Sequence, residues 1–364
     1  MKSKAAKPLT QSEFAFFLVG FLLGAGFFKL PDILIDETQQ DAWISATIAL
    51  IYPLYIILMN LYIAKKYPKD NLISINKKIF GKFIGTLLNM IYLLQWPIIC
   101  IIMVSDVISL SRIYFVAFLT PLKVVIVVTL VSLYASLKNL KALSKLHEFI
   151  SYIAFIGILL SIFAISKGDI LNIQPVFGAG LPKIIKGTIL TSYYYIGFEV
   201  ITLYHPYLVD EKSVKKGSLI AFLISSVVWI WITFISIYYL GIYFASNAIW
   251  SFVFIFESIR VPVINNFLYF FIAAWVLMSF KAIANYYFTT GFILEEITGI
   301  KQNKIQIILY PAILVLSMFL LNDAIKKPLI ETLFPIYVIF NTLFFTILSI
   351  MIFIKNKSKD SANK

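Results

Sequence analysis

Ten long apolar stretches, near residues 11–35, 42–64, 84–110, 115–137, 146–166, 184–208, 217–244, 264–294, 304–322 and 333–354, take up most of this chain. About 20 apolar residues is the length of helix that crosses the hydrocarbon of a bilayer. The runs do not alternate polar and apolar residues as barrel strands do. Only 13% of residues are charged, against about 25% in soluble domains. The pattern predicts an all-α integral membrane protein with ten transmembrane helices.

The net charge of +13 raises nucleic acid as a partner, but the lysines gather at the ends of apolar runs. That placement predicts a lipid bilayer as surroundings and no nucleic acid. With a cytoplasmic N-terminus, 21 Lys and Arg residues fall inside and 8 outside, leaving Lys29 and Lys281 within spans. Both termini are therefore expected in the cytoplasm. The apolar segment after the basic N-terminus is too long for a cleaved signal, so none is expected. The lone Cys100 rules out a disulfide framework. The whole chain, 1–364, reads as a single permease-like domain. One five-helix repeat covers about 11–166 and a second about 184–322. Helix ten, about 333–354, closes the second half, and 355–364 forms a cytoplasmic tail.

Two spans are interrupted. Span one carries Gly24-Ala25-Gly26 before Phe27, and span six, five spans later, carries Gly197-Phe198-Glu199. Glycine-interrupted helices at corresponding positions of two halves point to a transporter's binding site. Unwinding frees main-chain N–H and C=O groups, which persist at membrane depth only where protein, ligand or water satisfies them. The half-helix that starts near Phe27 presents amides and a positive dipole end suited to a carboxylate. Packing of small residues against a neighbouring helix is the competing explanation. Glu199 lies near mid-membrane, where an acid marks a ligand or ion pathway, or braces the broken helix.

Lys281, deep in span eight, is read either as an ammonium standing in for a bound sodium ion or as half of an ion pair with Glu199 or Asp106. A buried lysine of this kind also carries protons. Asp106, followed by Arg112, reads as an interfacial anchor. Lys29 reads as lining an outer vestibule. His147 falls among basic residues in an inner loop, and His205 precedes Pro206 at a helix end. Neither has metal-ligand spacing to a partner. No Walker loop or nucleophile elbow is present, so neither an enzyme, a catalytic residue, a cofactor nor a metal is expected.

"GAGFFKLP" followed by "DAWIS", then "IQPVFGAGLPKIIKG" and "GFEV" in that order, resemble the endospore germination permeases, the B subunits of nutrient germinant receptors. These belong to the amino acid–polyamine–organocation superfamily. The resemblance implies a LeuT-like core of two inverted five-helix repeats with helices one and six broken. It implies ligand contacts at Gly24, Ala25, Gly26 and Phe27 and at Gly197, Phe198 and Glu199. It further implies a small-molecule nutrient, preferentially an L-amino acid, A-type and C-type receptor subunits as partners, and the spore inner membrane as location. His205-Pro206 and Asn265-Asn266 depart from the family's Pro-Glu pair and its Arg with acidic neighbours. Lys281 is not a family-typical residue. A proton-coupled amino acid secondary transporter is the alternative function, since sensing and transport use one architecture.

Overall fold

The computed structural model describes residues 8–24, 29–114, 116–248, 250–258 and 267–362. The first apolar window is divided, as its glycines predict, into α1 (Gln11–Leu22) and α2 (Lys29–Thr38). Thr10 opens α1 with a capping box in which its side chain and Glu13 satisfy each other's backbone amides. The acidic stretch 36–41 between the first two apolar windows is itself helical. Residues 36–38 close α2, and a 3₁₀ turn at Gln39–Asp41 leads into α3 (Ala42–Ile48) and α4 (Ile51–Lys66).

A short helix, α5 (Leu72–Phe80), is capped by Asn71, and the long α6 (Lys82–Tyr114) follows. Then come α7 (Pro121–Ser136) and α8 (Leu140–Leu160), the latter capped by Asn139. His147 therefore lies on a buried face of α8 and not in an inner loop; its basic neighbours Lys141 and Lys145 belong to the first turns of the same helix.

The connection to span six is tied down by Asp41. Its carboxylate accepts the amide N–H groups of Phe177 (2.8 Å) and Ala179 (2.9 Å), and Gln40 Nε2 donates to Pro175 O (3.0 Å). The "DAWIS" and "IQPVFGAG" segments thus form one structure. Span six is built of α9 (Leu181–Ser192), 3₁₀ turns at Tyr193–Tyr195 and Phe198–Val200, and the single turn α10 (Ile201–Tyr204).

α11 (Glu211–Asn247) is bent at Gly241, whose φ of 70° is left-handed. α12 (Ser251–Ser258), α13 (Leu268–Thr298) and α14 (Gln302–Phe319) follow. α15 runs from Asp323 to Ala362, so helix ten starts about ten residues before its apolar window and continues through the expected tail.

Among the described residues, seven helical stretches are long and apolar enough to cross a membrane; Gln11–Leu22 and Pro121–Ser136 are shorter apolar helices. Outward faces are apolar too: Val227 is 65% exposed and Ile308 69%. Soluble proteins rarely leave such surface to water, whereas lipid solvates it. α1 packs on α8, α11 and α13, so the first half-helix sits at the centre of the bundle.

Candidate functional site

The two interruptions meet. A Cβ placed on Gly197 would lie 2.9 Å from Phe21 Cβ, and one on Gly24 would lie 2.8 Å from both Ala282 Cβ and Met103 Cε. Both glycines therefore permit backbone to approach backbone or side chain more closely than any larger residue allows. Gly24 is the one residue of the first predicted segment whose surroundings are defined; Ala25, Gly26 and Phe27 lie outside the described residues.

Freed main-chain groups at both breaks are taken up by side chains. At the end of α1, the carbonyl of Phe21 accepts from Tyr286 Oη (2.8 Å); one turn earlier, inside the helix, that of Phe17 also accepts from Asn285 Nδ2 (3.0 Å). At the second break the Gly197 amide donates to Glu199 Oε2 at 2.5 Å. The other carboxylate oxygen accepts from Tyr52 Oη (2.5 Å) and Asn341 Nδ2 (3.3 Å), and Tyr92 Oη donates to the Glu199 carbonyl (3.1 Å). Asn60 Oδ1 accepts from the backbone and hydroxyl of Thr202, and Tyr195 Oη donates to Ala46 O. The α3–α4 pair is thus the support for broken span six. Tyr52 and Asn60 are not among the site residues expected above, although Ser45, Tyr52 and Asn60 recur at intervals of seven and eight, a one-faced polar stripe in an apolar run.

Where the breaks meet is a cavity of about 60 Å³, room for roughly four waters at ~15 Å³ each. Phe21, Leu22, Tyr193, Tyr194 and Ile196 from the two broken spans line it, with Tyr286 and Trp229 opposite. Gly197, Phe198 and Glu199 lie behind this wall: Glu199 faces α4 and α15, and the Phe198 ring meets Phe222 on α11 at 6.4 Å.

Charge enters the cavity only through Lys29 and Asp106 among its described lining residues. Asp106 on α6 lies 2.8 Å from Lys29 of α2 and 3.1 Å from Lys326 of α15, and Lys326 also reaches Asp323 at 3.1 Å. This corrects the reading of Asp106 as an interfacial anchor with Arg112. Six residues along a helix turn the side chain through about 240°, so the two point to different faces. Lys29 does border the cavity, held there by Asp106.

Lys281 donates to Ser151 Oγ of α8 at 2.5 Å. Among the described residues no carboxylate lies within ion-pair distance of it, so the alternative of pairing with Glu199 or Asp106 is not what the structure contains. Among the described residues the hydrogen bonds from α13 to α1 come from Asn285 and Tyr286. His205 lies at the end of span six, with its ring nitrogens 2.9 Å from Tyr67 O and 3.1 Å from Thr202 O.

At the end of the bundle that carries Leu9, a second set of contacts gathers the broken spans. Leu9 N–H donates to Tyr207 O (2.9 Å), Lys141 Nζ reaches Glu13 Oε2 (2.5 Å) and Pro8 O (2.8 Å), and Ser12 donates to Glu148.

Two broken helices crossing around a central cavity define a membrane transporter architecture of the LeuT-like class. The structure resembles MhsT, solved in complex with L-phenylalanine, with a TM-score of 0.71, 11% identity, and coverage of 96% of this chain and 89% of that one. It also resembles a substrate-bound, outward-open Na⁺-coupled sialic acid symporter, with a TM-score of 0.66, 10% identity, and coverage of 94% and 77%.

Within that class the chain belongs to the spore permease family, described as spore germination protein, whose model matches residues 8–325. It is 23% identical over 320 residues to spore germination protein GerQB of Bacillus cereus, covering 87% of this chain and 88% of that protein. It is 24% identical over 327 residues to spore germination protein B2 of Bacillus subtilis (strain 168), covering 87% of each.

Proposed function

We propose that this chain is a membrane subunit of a nutrient germinant receptor that binds a small nutrient, preferentially an L-amino acid, where the two helix breaks meet. The observation that carries this reading is the cavity between Leu22 and Ile196, with Lys29 and Asp106 at its edge. A small zwitterion suits an aromatic and aliphatic chamber with one cation and one anion. Binding acts by favouring one arrangement of the bundle, which requires unequal affinity for the two arrangements. A-type and C-type subunits in the spore inner membrane read the change, with both termini of this chain in the cytoplasm. The relatives named as germination proteins support this context.

The test is thermal protection of the purified full-length protein by a panel of L-amino acids, nucleosides and sugars. Wild type is expected to be protected by an amino acid, and Ile196→Trp, which fills the cavity, to lose that protection while staying folded. Unaltered protection in Ile196→Trp would place the nutrient elsewhere. The second reading, a proton-coupled amino acid transporter, is favoured by the contact sets on both sides of the cavity. Amino acid flux in proteoliposomes distinguishes the two.

A further inference from the structure

Between α1, α8 and α13 is a buried polar cluster that lines no part of the cavity. His147 is fully buried, and neither of its ring nitrogens has a hydrogen-bond partner among the described residues. Lys281 is 1% exposed and donates to Ser151 Oγ. Asn285 Oδ1 and Ser144 Oγ, both buried, are also without partners among the described residues. His147 and Ser151 are one turn apart on α8, as are Lys281 and Asn285 on α13. The four side chains therefore make two rungs between the helices. Lys281 and Ser151 form one rung. His147 and Asn285 form the other, because a Cβ on Gly20 would overlap the His147 ring and lie 2.9 Å from Asn285 Nδ2.

Lys281 occupies the rung next to His147, one turn along α8 at Ser151. The acids on α1, α8 and α13 and the tyrosines of α13 beside Asn285 are engaged elsewhere or distant, and Asp106 of the neighbouring α6 is held by Lys29 and Lys326. Glu13 is held by Lys141, Glu148 by Ser12, Tyr286 by Phe21 O, and Tyr287 by Gln306 O. Glu295 and Glu296 lie at the far end of α13. Two bases in adjacent layers with no acid beside them repel each other once both are cationic, and at this depth water does little to relieve it.

We infer that His147 and Lys281 share a single proton, making this cluster a proton-binding site that joins the first half-helix to α8 and α13. In one form Lys281 is an ammonium donating to Ser151 and His147 is neutral. In the other an N–H bond on Nζ has broken and one on the imidazole has formed, and the imidazolium turns to the free oxygens of Asn285 and Ser144. Asn285 also grips Phe17 O, so the second form acts directly on how α13 holds α1.

The chain has two histidines, so full-length protein labelled with ¹⁵N-histidine in lipid nanodiscs gives two ring spectra that can be followed from about pH 5 to 8. The His147 midpoint is expected to rise in Lys281→Met, which removes the competing base. It is expected to fall in Lys281→Arg, whose charge cannot be given up. The two variants should differ at least tenfold in His147 proton affinity, one pH unit. The His205 signal serves as the control for folding. A different order, or a smaller spread with His205 unmoved, overturns the site. The measurement uses no nutrient, so its failure leaves the germinant-binding reading standing.

Discussion

Glu199 Oε2 lies 2.5 Å from the amide nitrogen of Gly197, so the acid in span six caps the break in its own helix. With Tyr52 and Asn341 on the other oxygen, the carboxylate is satisfied by neutral donors. Glu199→Gln replaces one acceptor oxygen with an amide that faces a donor. It should lower stability by about 1–3 kcal/mol, as expected for a buried group left unpaired. Tyr52→Phe, which leaves Asn341 as the side-chain donor, should cost about 1 kcal/mol. Thermal unfolding of the purified protein checks both, and a Glu199→Gln protein as stable as wild type refutes the capping role.

Asp106 lies between two ammonium groups, and variants of the three side chains should rank accordingly. Asp106→Asn leaves the buried Lys326 without its buried partner and should be the most damaging, at about 3–5 kcal/mol. Lys29→Met should be the mildest, since Lys29 is partly exposed and Asp106 keeps Lys326. Unfolding midpoints of the two variants and Lys326→Met establish the order.

Asp41 organises the connection before span six through two amide hydrogen bonds. Asn at this position retains one acceptor oxygen and turns a donor toward the second amide. Hydrogen exchange at Phe177 and Ala179 should quicken roughly tenfold or more in Asp41→Asn, which corresponds to losing about 1.4 kcal/mol of local protection. Exchange in α13 should not change.

The Glu13–Lys141 pair ties the start of α1 to the start of α8, and Lys141 also holds Pro8 O. A double-mutant cycle with Glu13→Gln and Lys141→Met should give a coupling of about 0.5–3 kcal/mol. Zero coupling would show that the contact contributes nothing to closing this end of the bundle.

The helical membrane fold was legible in the apolar runs, and the positions of the breaks in the glycines, because both are local properties of the chain. What each polar group touches was not. Tyr52 and Asn341 are 147 and 142 residues from Glu199, and no local pattern announces such pairings. His147 was hidden by Lys141 and Lys145, which share its helix but not its face. Lys326 falls between the apolar windows 304–322 and 333–354, where a loop is expected, yet α15 starts at Asp323 and runs on through Pro328 and Pro335. The short α5 is betrayed by its Asn71 cap, a signal that apolar windows of membrane length pass over.

Because Glu199, Asn60 and Tyr92 satisfy the freed main-chain groups of span six from within the chain, its distortion exists before any nutrient arrives. The site is preorganised on that side: a ligand need not unwind the helix, and its contacts are free to discriminate between arrangements of the bundle. The α3–α4 support and the broken span should consequently travel as one rigid body, with movement confined to the surfaces where α1 slides against α8 and α13.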